Sequence, residues 1–454
     1  MTRYVPSHFI SMSYDADKSL ILHSSATGAL GVVPAEQAEE AREMLLPGRS
    51  YDDPQGDLAI SLIKGGMLVP ANRNEQWESH KEYVGRYRDD NLHLIVLPTE
   101  DCNFRCIYCY ESFLRGTMPQ EIQDGIVELV RSKQRLKHLE VSCFGGEPLL
   151  ASEVVISVMQ RLNDYCEASG VKLLSSATTN AYLLTPELAP VIIGLGVKHF
   201  QITLDGLDHD HDKRRVGRNG EATFDTILAN LRALRDSELE FNVVIRHNFD
   251  PDSLQRLEPF LDMLAGEFAA DERFRYNFQR IGRWGGENDE ALEVCEGRDG
   301  ARAADNARWL ALGKGLRDAH TTNLIQPNGS VCYAANPNSF VVGSDGQLYK
   351  CTVELDYHDR NIVGRLHPDG TMDLNWQRMA LWTETDGMDS GKKCSTCWFS
   401  PSCHGATCPK NWMDDNDCEC PAVKKTIQQT LTFIRADAIT FGPPADAATA
   451  KCGK

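Results

Sequence analysis

From His93 onward, short runs rich in β-branched and aromatic residues alternate with longer segments whose apolar residues recur at helical spacing. The strand-like runs are His93–Pro98, Glu140–Phe144, Leu173–Thr178, Lys198–Leu204, Phe241–His247 and Arg275–Ile281. Such alternation predicts parallel strands joined by crossover helices. The pattern therefore predicts an α/β fold with a partial, TIM-like (β/α)6 barrel, in which chemistry takes place at the C-terminal ends of the strands.

Residues before this region follow a different pattern. Two strand-like runs, His8–Ser13 and Leu20–Ser24, precede an acidic helix at Ala35–Leu46 and a second helix at Gly56–Lys64. Elements of this order fit a small winged-helix-like module. The polar and charged stretch Ala71–Asn91 is interpreted as a connector to the barrel.

The barrel pattern ends in a glycine-rich, charged segment at Gly282–Asp305. After it the chain is rich in Cys, Gly and Pro, which suggests a domain folded around metal. The sequence thus predicts five parts: a module at 1–90, the barrel at 91–282, a linker at 283–329, a Cys-rich domain at 330–436 and a tail at 437–454.

Composition narrows the function classes. The formal charge of -18 over 454 residues argues against nucleic acid, because phosphate binding needs clustered Lys and Arg. No apolar run approaches the roughly 18 residues of a membrane span, and the N-terminus lacks a signal-peptide core. We therefore expect a cytoplasmic protein that does not bind membranes. In a reducing compartment, its 15 cysteines favour metal ligation over disulfides.

Three cysteines follow the first predicted barrel strand: Cys102, Cys106 and Cys109, in the sequence DCNFRCIYCYE. Three thiolates on one loop can bind three irons of a four-iron, four-sulfur cluster and leave the fourth iron open. Thiolates also suit zinc, so a zinc site completed by a distant His is the alternative. The open iron would make such a cluster catalytic, since a cofactor or substrate can bind there.

This loop, with the aromatic Tyr108 before its third cysteine, resembles the signature of the radical SAM superfamily. The resemblance implies that the amino and carboxylate groups of S-adenosylmethionine (SAM) chelate the open iron. Further motifs follow in order. Gly145, Gly146, Glu147 and Pro148 resemble the family's GGEP turn, and Asn180 resembles the asparagine of its TNG turn, although Ala181 stands where glycine is usual.

The fourth and fifth predicted strands carry the remaining matches. Gln201, Thr203 and Asp205 resemble the QxSxDG motif, with the Thr203 hydroxyl expected to face SAM. Arg215 resembles the arginine of the family's HDxxR motif, which can make a paired contact with the SAM carboxylate. Arg246 is expected to point into the same pocket. The resemblance thus implies a SAM site built from the ends of successive strands.

The late cysteines resemble the SPASM extension of the same superfamily, whose cysteines hold two auxiliary four-iron clusters. The resemblance implies an outer cluster on Cys394, Cys397, Cys403 and Cys420, and an inner cluster on Cys332, Cys351 and Cys408. For the last outer ligand, Cys420 fits better than Cys418. The fourth inner ligand is either Cys295 or absent, which leaves an open iron. The alternative is a pair of zinc knuckles.

Enzymes so built reduce SAM to methionine and a 5'-deoxyadenosyl radical that removes a hydrogen atom from carbon. The resemblance implies an oxidoreductase that forms a thioether or carbon–carbon crosslink in a ribosomally synthesised precursor peptide (RiPP maturation). Residues 1–90 would bind the leader by strand addition. A flavodoxin or ferredoxin would supply electrons. The alternatives are a peptide epimerase and an anaerobic sulfatase-maturating enzyme, although the latter places aspartate where this chain has Thr352.

Overall fold

The computed structural model describes residues 2–295, 297–319, 321–355, 359–384, 386–389, 391–415 and 419–442. The chain forms two compact units. The first contains Met1–Tyr87, His320–Asn336 and Trp382–Lys454, and the second contains Arg88–Ala319 and Pro337–Leu381. Within the described ranges, no helix has the length and apolar character needed to span a bilayer.

The strands and helices are numbered in chain order. The strands are β1 Arg3–Pro6, β2 Ile10–Tyr14, β3 Leu20–Ser24, β4 Leu30–Val33, β5 Tyr51–Asp52, β6 Leu68–Pro70, β7 Asn91–Val96, β8 His138–Cys143, β9 Lys172–Thr179, β10 Val197–Thr203, β11 Asn242–Phe249, β12 Phe274–Arg280, β13 Ser339–Val342, β14 Gln347–Tyr349, β15 Ile362–Leu366 and β16 Met372–Leu374. The helices are α1 Ala35–Met44, α2 Asp57–Lys64, α3 Glu75–Gly85, α4 Gln120–Ser132, α5 Ser152–Ser169, α6 Leu188–Gly194, α7 Asp208–Arg214, α8 Phe224–Arg235, α9 Pro251–Leu254, α10 Leu257–Phe268, α11 Gly297–Gly313, α12 Thr321–Leu324, α13 Trp376–Thr383, α14 Ser400–Cys403, α15 Pro409–Asp415, α16 Ala422–Lys425 and α17 Ile427–Phe441. Short 3-10 turns cover Pro148–Ala151, Asp289–Ala291, Tyr333–Ala335, Asp359–Asn361 and Asp386–Met388.

The second unit is built on a ten-stranded sheet. Its strand order is β12-β11-β10-β9-β8-β7-β13-β14-β15-β16, in which β7 to β12 are neighbours in sequence order and pair in parallel. These six strands confirm the predicted partial barrel. The late strand β13 pairs in parallel with β7, and β14 to β16 continue the sheet in antiparallel pairs.

The six parallel strands are apolar because such sheets are covered on both faces. Leu94 in β7, Val141 in β8, Ile202 in β10 and Val243 in β11 are fully buried. The connecting helices place one apolar stripe against the sheet, as α4 does with Ile126 and its neighbours. The C-terminal ends of the six strands are therefore held on a rigid scaffold.

The first unit contains two small antiparallel sheets, β5-β1-β6 and β2-β3-β4. Strand β3 is buried along its whole length. Leu20 and Leu22 pack against α1 and α2, whereas Ile21 packs in a core with Phe399 and Leu431 from the C-terminal part of the chain. The first strands and the C-terminal helices therefore share one hydrophobic core.

Two segments interpreted as connectors contain helices. The stretch Ala71–Asn91 includes α3, which is capped by the Asn74 side chain accepting a hydrogen bond from the Trp77 amide (3.0 Å). The segment Gly282–Asp305 includes the beginning of α11. Both helices are rich in polar residues, so their apolar periodicity is weak. The division into 1–90, 91–282, 283–329, 330–436 and 437–454 remains a prediction.

Candidate functional site

The residues of the predicted SAM site come together at one edge of the parallel sheet. The cysteine loop 102–109 follows β7, the turn 145–148 follows β8, Asn180 follows β9 and Asp205 follows β10, while Arg246 lies in the second half of β11. Because the strands are parallel, these positions all lie at their C-terminal ends. The sheet topology thus gathers the predicted residues at the edge where barrel enzymes carry their chemistry.

The cysteine loop is held by backbone hydrogen bonds to the last residue of α7 and to the segment that follows it. The Arg105 amide donates to the Val216 carbonyl (2.8 Å), and the Ile107 amide donates to the Arg214 carbonyl (3.0 Å). The Cys109 amide closes a turn on the Cys106 carbonyl (3.1 Å). The loop that carries the three thiols therefore has a fixed backbone.

Burial dominates the chemistry of these thiols. Burial raises the pKa of Cys102 well above its usual range and raises the pKa of Cys109 to about 12. Without a cation the thiols therefore stay protonated at neutral pH. Metal ions bind the thiolate form and release those protons on binding. The Phe104 amide already donates to the Cys102 sulfur (3.3 Å), a contact that would also stabilise a thiolate.

The GGEP turn packs against the backbone that leads into the cysteine loop. A Cβ atom at Gly145 would lie 2.4 Å from the Thr99 carbonyl oxygen, and one at Gly146 would lie 2.3 Å from the Asp101 carbonyl oxygen. Gly145 also has a φ of 112°, which favours glycine. Pro148 starts the short turn that leads into α5. Glycine is thus required at both positions because the turn contacts the backbone of Thr99 and Asp101, just before the cysteine loop.

Glu147 joins the turns after β8 and β9. Its buried carboxylate accepts hydrogen bonds from the Leu149 amide (3.0 Å), the Thr179 hydroxyl (2.6 Å) and the Asn180 amide (2.7 Å). Burial raises the pKa of Glu147, while these donors favour its ionised form. The carboxylate therefore fixes the position of Asn180.

The turn after β9 has a backbone conformation that is strained for the residue at its centre, Ala181. Ala181 has a φ of 61°, in the left-handed region that glycine occupies without strain. The Asn180 side chain accepts from the Tyr182 amide (2.9 Å) and donates to the Asn103 side chain (2.8 Å). Asn180 thus connects this turn with the cysteine loop despite the missing glycine.

A buried polar network lies beside the three cysteines. The Tyr108 hydroxyl donates to Asp205, and it accepts from Arg215 Nη1 (2.8 Å) and from the Asn248 side chain (3.1 Å). The Asn248 amide donates to Asp205 Oδ1 (2.8 Å), and Arg246 Nε donates to the Asn248 side chain (2.7 Å). Four residues predicted from the sequence, Tyr108, Asp205, Arg215 and Arg246, therefore form one connected cluster.

Asn248 was not predicted from the sequence. It is the centre of this network and lies two residues after Arg246 on β11, so both side chains point to the same face of the sheet. That alternation is the one signal that could have identified it.

The other predicted residues lie nearby with different roles. Thr203 is buried and Gln201 is half-buried on β10. Asp212, the aspartate of the HDxxR motif that ends at Arg215, accepts hydrogen bonds from the Thr223 and Phe224 amides (2.7 and 2.9 Å), at the N-terminal end of α8. A role for Gln201 and Thr203 in SAM binding remains a prediction.

The donor set fits the cofactors that the motifs imply. Three thiols share one loop, and Arg215 is buried beside them with a guanidinium Nε that has no hydrogen-bond partner among the described residues. Burial opposes the charge of Arg215, but Cys106, Tyr108 and Asp205 raise its pKa above the usual value. A buried, charged guanidinium with an unused donor suits a carboxylate ligand.

The cysteines assigned to the outer auxiliary cluster lie in the first unit. Burial, together with the nearby Cys397 and Cys394, raises the pKa of Cys403 to about 12. Burial acts to lower the pKa of Lys424, but the nearby sulfurs of Cys397 and Cys420 raise it. Cys394 and Cys397 therefore lie near Cys403, and Lys424 lies near Cys397 and Cys420. Cys418 lies outside the described residues.

The inner set is divided between the units. Cys332 and Cys408 belong to the first unit and Cys351 to the second, so their common cluster remains a prediction. Burial raises the pKa of Tyr110, to which Cys109 and Cys351 both contribute. Cys351 is thus within electrostatic range of the residue that follows the first cysteine loop.

Cys295 has a different environment. Burial is the main cause that raises the pKa of Cys295, and the carboxylates of Asp250 and Asp299 add to the effect. Over the described part of the chain, no three His, Cys, Asp or Glu side chains converge as a single bound metal ion would require. The assignment of iron ligands therefore rests on loop position and motif order.

Comparison with known proteins gives an independent view of this site. The sequence profile of the Radical SAM superfamily matches residues 96–264. Mycofactocin maturase MftC of Mycolicibacterium smegmatis is 26% identical over 353 residues, which cover 72% of this chain and 83% of the relative. GTP 3',8-cyclase of a Sulfurovum species is 30% identical over 246 residues, covering 52% of this chain and 69% of the relative.

Solved structures agree on the fold. The structure described as native anSMEcpe with bound AdoMet and Cp18Cys peptide covers 77% of this chain and 99% of its own. Its TM-score is 0.56 at 18% sequence identity. At that identity the likeness concerns the fold alone.

Proposed function

Since the chain belongs to the radical SAM superfamily, whose enzymes use SAM and a four-iron, four-sulfur cluster, we propose that it matures a ribosomally synthesised precursor peptide. The change it installs is a thioether or carbon–carbon crosslink. A small electron carrier such as a flavodoxin or ferredoxin supplies the reducing electron.

When bound, the cluster and SAM supply a 5'-deoxyadenosyl radical that removes a hydrogen atom from a carbon of the peptide. The protein contributes position and charge. Cys102, Cys106 and Cys109 hold the cluster, and Arg215 offers its unused Nε to the SAM carboxylate. The network of Tyr108 and Asp205 keeps that guanidinium in place, so little reorganisation is needed on binding.

The observation that supports a peptide substrate is that β4 forms an edge strand in the first unit. It pairs with β3 on one side and ends the sheet β2-β3-β4. Leu30 and Val32 on this strand are 36% and 50% exposed, although they are large and apolar. An extended leader that adds to this edge would gain main-chain hydrogen bonds and cover both side chains.

The surroundings of β4 favour a leader on this edge. Helix α17 packs on β2 and β3. Val32 pairs with Ile21, and Leu30 pairs with His23, so both exposed side chains lie on the face of the sheet that α17 covers elsewhere. A fourth strand beside β4 would extend that covered surface.

The relatives support a peptide as the substrate. MftC is named a maturase, and the solved structure with the similar fold is described with a bound peptide. The match with MftC extends over most of both chains, beyond the barrel alone. The type of bond formed rests on the resemblance to peptide-crosslinking enzymes.

The test uses point variants. We expect the double variant Leu30→Glu, Val32→Glu to lose modification of a co-expressed precursor, because charged side chains on the edge oppose strand addition. Uncoupled cleavage of SAM should remain. The control is Ile60→Glu, which places one glutamate on α2 at a residue 42% exposed, away from the edge strand. Equal modification by the double variant and the control would contradict the leader site.

Point variants are needed because the first strands cannot be removed cleanly. Ser25 donates its hydroxyl to the Trp398 carbonyl (2.6 Å), and a His23 ring nitrogen lies 3.0 Å from the Ile325 carbonyl oxygen. Together with Ile21 in the shared core, these contacts tie β3 to the C-terminal segments. Deleting residues 1–90 would therefore expose part of the core around the outer cysteines.

Mass spectrometry of the precursor distinguishes the alternatives. A crosslink removes two hydrogens from the peptide, and an epimerisation leaves its mass unchanged. Formylglycine formation replaces a cysteine sulfur or oxidises a serine in a sulfatase. Enzymes that carry out that last reaction place an aspartate base at the position where this chain has Thr352, directly after Cys351. We therefore favour crosslinking over formylglycine formation.

A further inference from the structure

Lys424 lies beside Cys420, one of the cysteines assigned to the outer auxiliary cluster. Its Nζ is 3.3 Å from the Cys420 sulfur, and the Cys397 sulfur is near enough to act on the lysine electrostatically. The residue is half-buried on α16, four positions after Cys420. An ammonium group has three donors and no acceptor, so it interacts favourably with sulfur that carries negative charge.

The rest of this site favours the same electrostatic effect. The Phe399 amide donates to the Cys397 sulfur (3.4 Å). Cys403 and Cys397 lie in the hydrophobic core with Phe399 and Leu431, where water is scarce and charges interact strongly. The Lys424 ammonium is thus a positive charge held at the edge of an apolar sulfur site.

We propose that Lys424 is a positioning residue that raises the reduction potential of the outer auxiliary cluster. This inference rests on the proposed function and on the SPASM resemblance, which implies that Cys394, Cys397, Cys403 and Cys420 hold that cluster. One-electron reduction makes a cysteine-ligated cluster more negative by one charge, and hydrogen bonds to its sulfurs together with the local charge set its potential. Lys424 stabilises the reduced form more than the oxidised form.

The consequence concerns the electron left over by the reaction. Crosslinking through a substrate radical releases one electron and one proton once the new bond forms, and the electron needs an acceptor. A cluster with a raised potential accepts that electron more readily, after which the external carrier can remove it. Lys424 therefore favours the oxidative end of the reaction and takes no part in SAM cleavage.

The chain provides a matched control in the next residue. Lys425 has a side chain that is 60% exposed, and its Nζ lies 3.7 Å from a Glu419 carboxylate oxygen. Lys424→Gln and Lys425→Gln remove the same charge from adjacent positions on α16, but the second leaves the contacts with sulfur intact. Lys424→Arg retains the charge and provides the conservative variant.

The experiment uses full-length protein in which Cys102, Cys106 and Cys109 are replaced by alanine, so only auxiliary clusters contribute iron. Each lysine variant is made in that background, and its reductive titration is followed by electron paramagnetic resonance. The outer signal is the one lost when Cys397 is also replaced. We expect Lys424→Gln to reduce the one-electron equilibrium constant at least tenfold, which is about 59 mV at this stoichiometry.

Lys425→Gln should leave the potential unchanged, and Lys424→Arg should restore most of it. An unchanged potential in Lys424→Gln, with iron content retained, would overturn this inference alone. Loss of the outer cluster in Lys424→Gln would overturn it as well, because the lysine would then serve assembly. Absence of auxiliary iron in the parent background would overturn the proposed clusters and this inference together.

Discussion

Replacing Arg215 with glutamine should weaken SAM binding by a calculable amount. The change removes the buried Nε that has no protein partner, together with the 2.8 Å bond from Nη1 to the Tyr108 hydroxyl. A hydrogen bond to a charged group contributes about 1.5–3 kcal/mol. At roughly 1.4 kcal/mol per factor of ten, loss of the carboxylate contact predicts about 10- to 150-fold weaker binding.

The assay compares two ligands on cluster-loaded protein under anaerobic conditions. SAM carries the carboxylate, whereas 5'-deoxyadenosine lacks the whole amino acid part. We expect Arg215→Gln to lose affinity for SAM and to keep its affinity for 5'-deoxyadenosine. Arg232→Gln, at a residue paired with Glu267 on the surface, should change neither. Equal losses for both ligands would refute the reasoning, since Arg215 would then act only by supporting Tyr108.

Two further predictions concern stability. Ala181→Gly should change the free energy of unfolding by less than about 1 kcal/mol, because relief of left-handed strain offsets the lost methyl and the added chain entropy. Ala177→Gly, at an equally buried strand position, should cost about 1.5 kcal/mol in the same urea titration by circular dichroism, and equal losses would exclude strain at Ala181. For the cluster-free protein, burial raises the folded-state pKa of Cys403 to about 12. The stability that this thiol contributes is therefore complete below about pH 8.5 and is lost as the pH rises through the folded-state pKa. Cys403→Ala should therefore make the thermal midpoint fall less steeply at alkaline pH. An unchanged slope of the thermal midpoint against pH would contradict this prediction.

The barrel could be predicted from the sequence because its signals are local. Each parallel strand is a short apolar run, and each crossover helix repeats apolar residues at its own spacing. Strand β13 could not be predicted as a neighbour of β7, because the two are far apart in sequence and no local pattern records their pairing. Helix α3 was missed because it buries only Ser79, while its apolar residues Trp77 and Val84 are exposed.

The candidate site shows the same division. The motifs identified Tyr108, Asp205 and Arg215, whose spacing matches a known family, and the structure links all three. Asn248 belongs to no motif, and its role depends on side chains from three different strands and loops meeting at one point. The electrostatic effect of Cys397 on Lys424 likewise depends on folding, since Cys397 lies far from it in sequence.

The central claim is that the three-cysteine loop holds the cluster that cleaves SAM. The most direct test is to incubate anaerobically reconstituted protein with SAM and dithionite and to measure 5'-deoxyadenosine by chromatography. Wild-type protein should form it. The variant with Cys102, Cys106 and Cys109 replaced by alanine should form none while keeping about eight irons in two auxiliary clusters. Continued formation of 5'-deoxyadenosine by that variant would contradict the assignment.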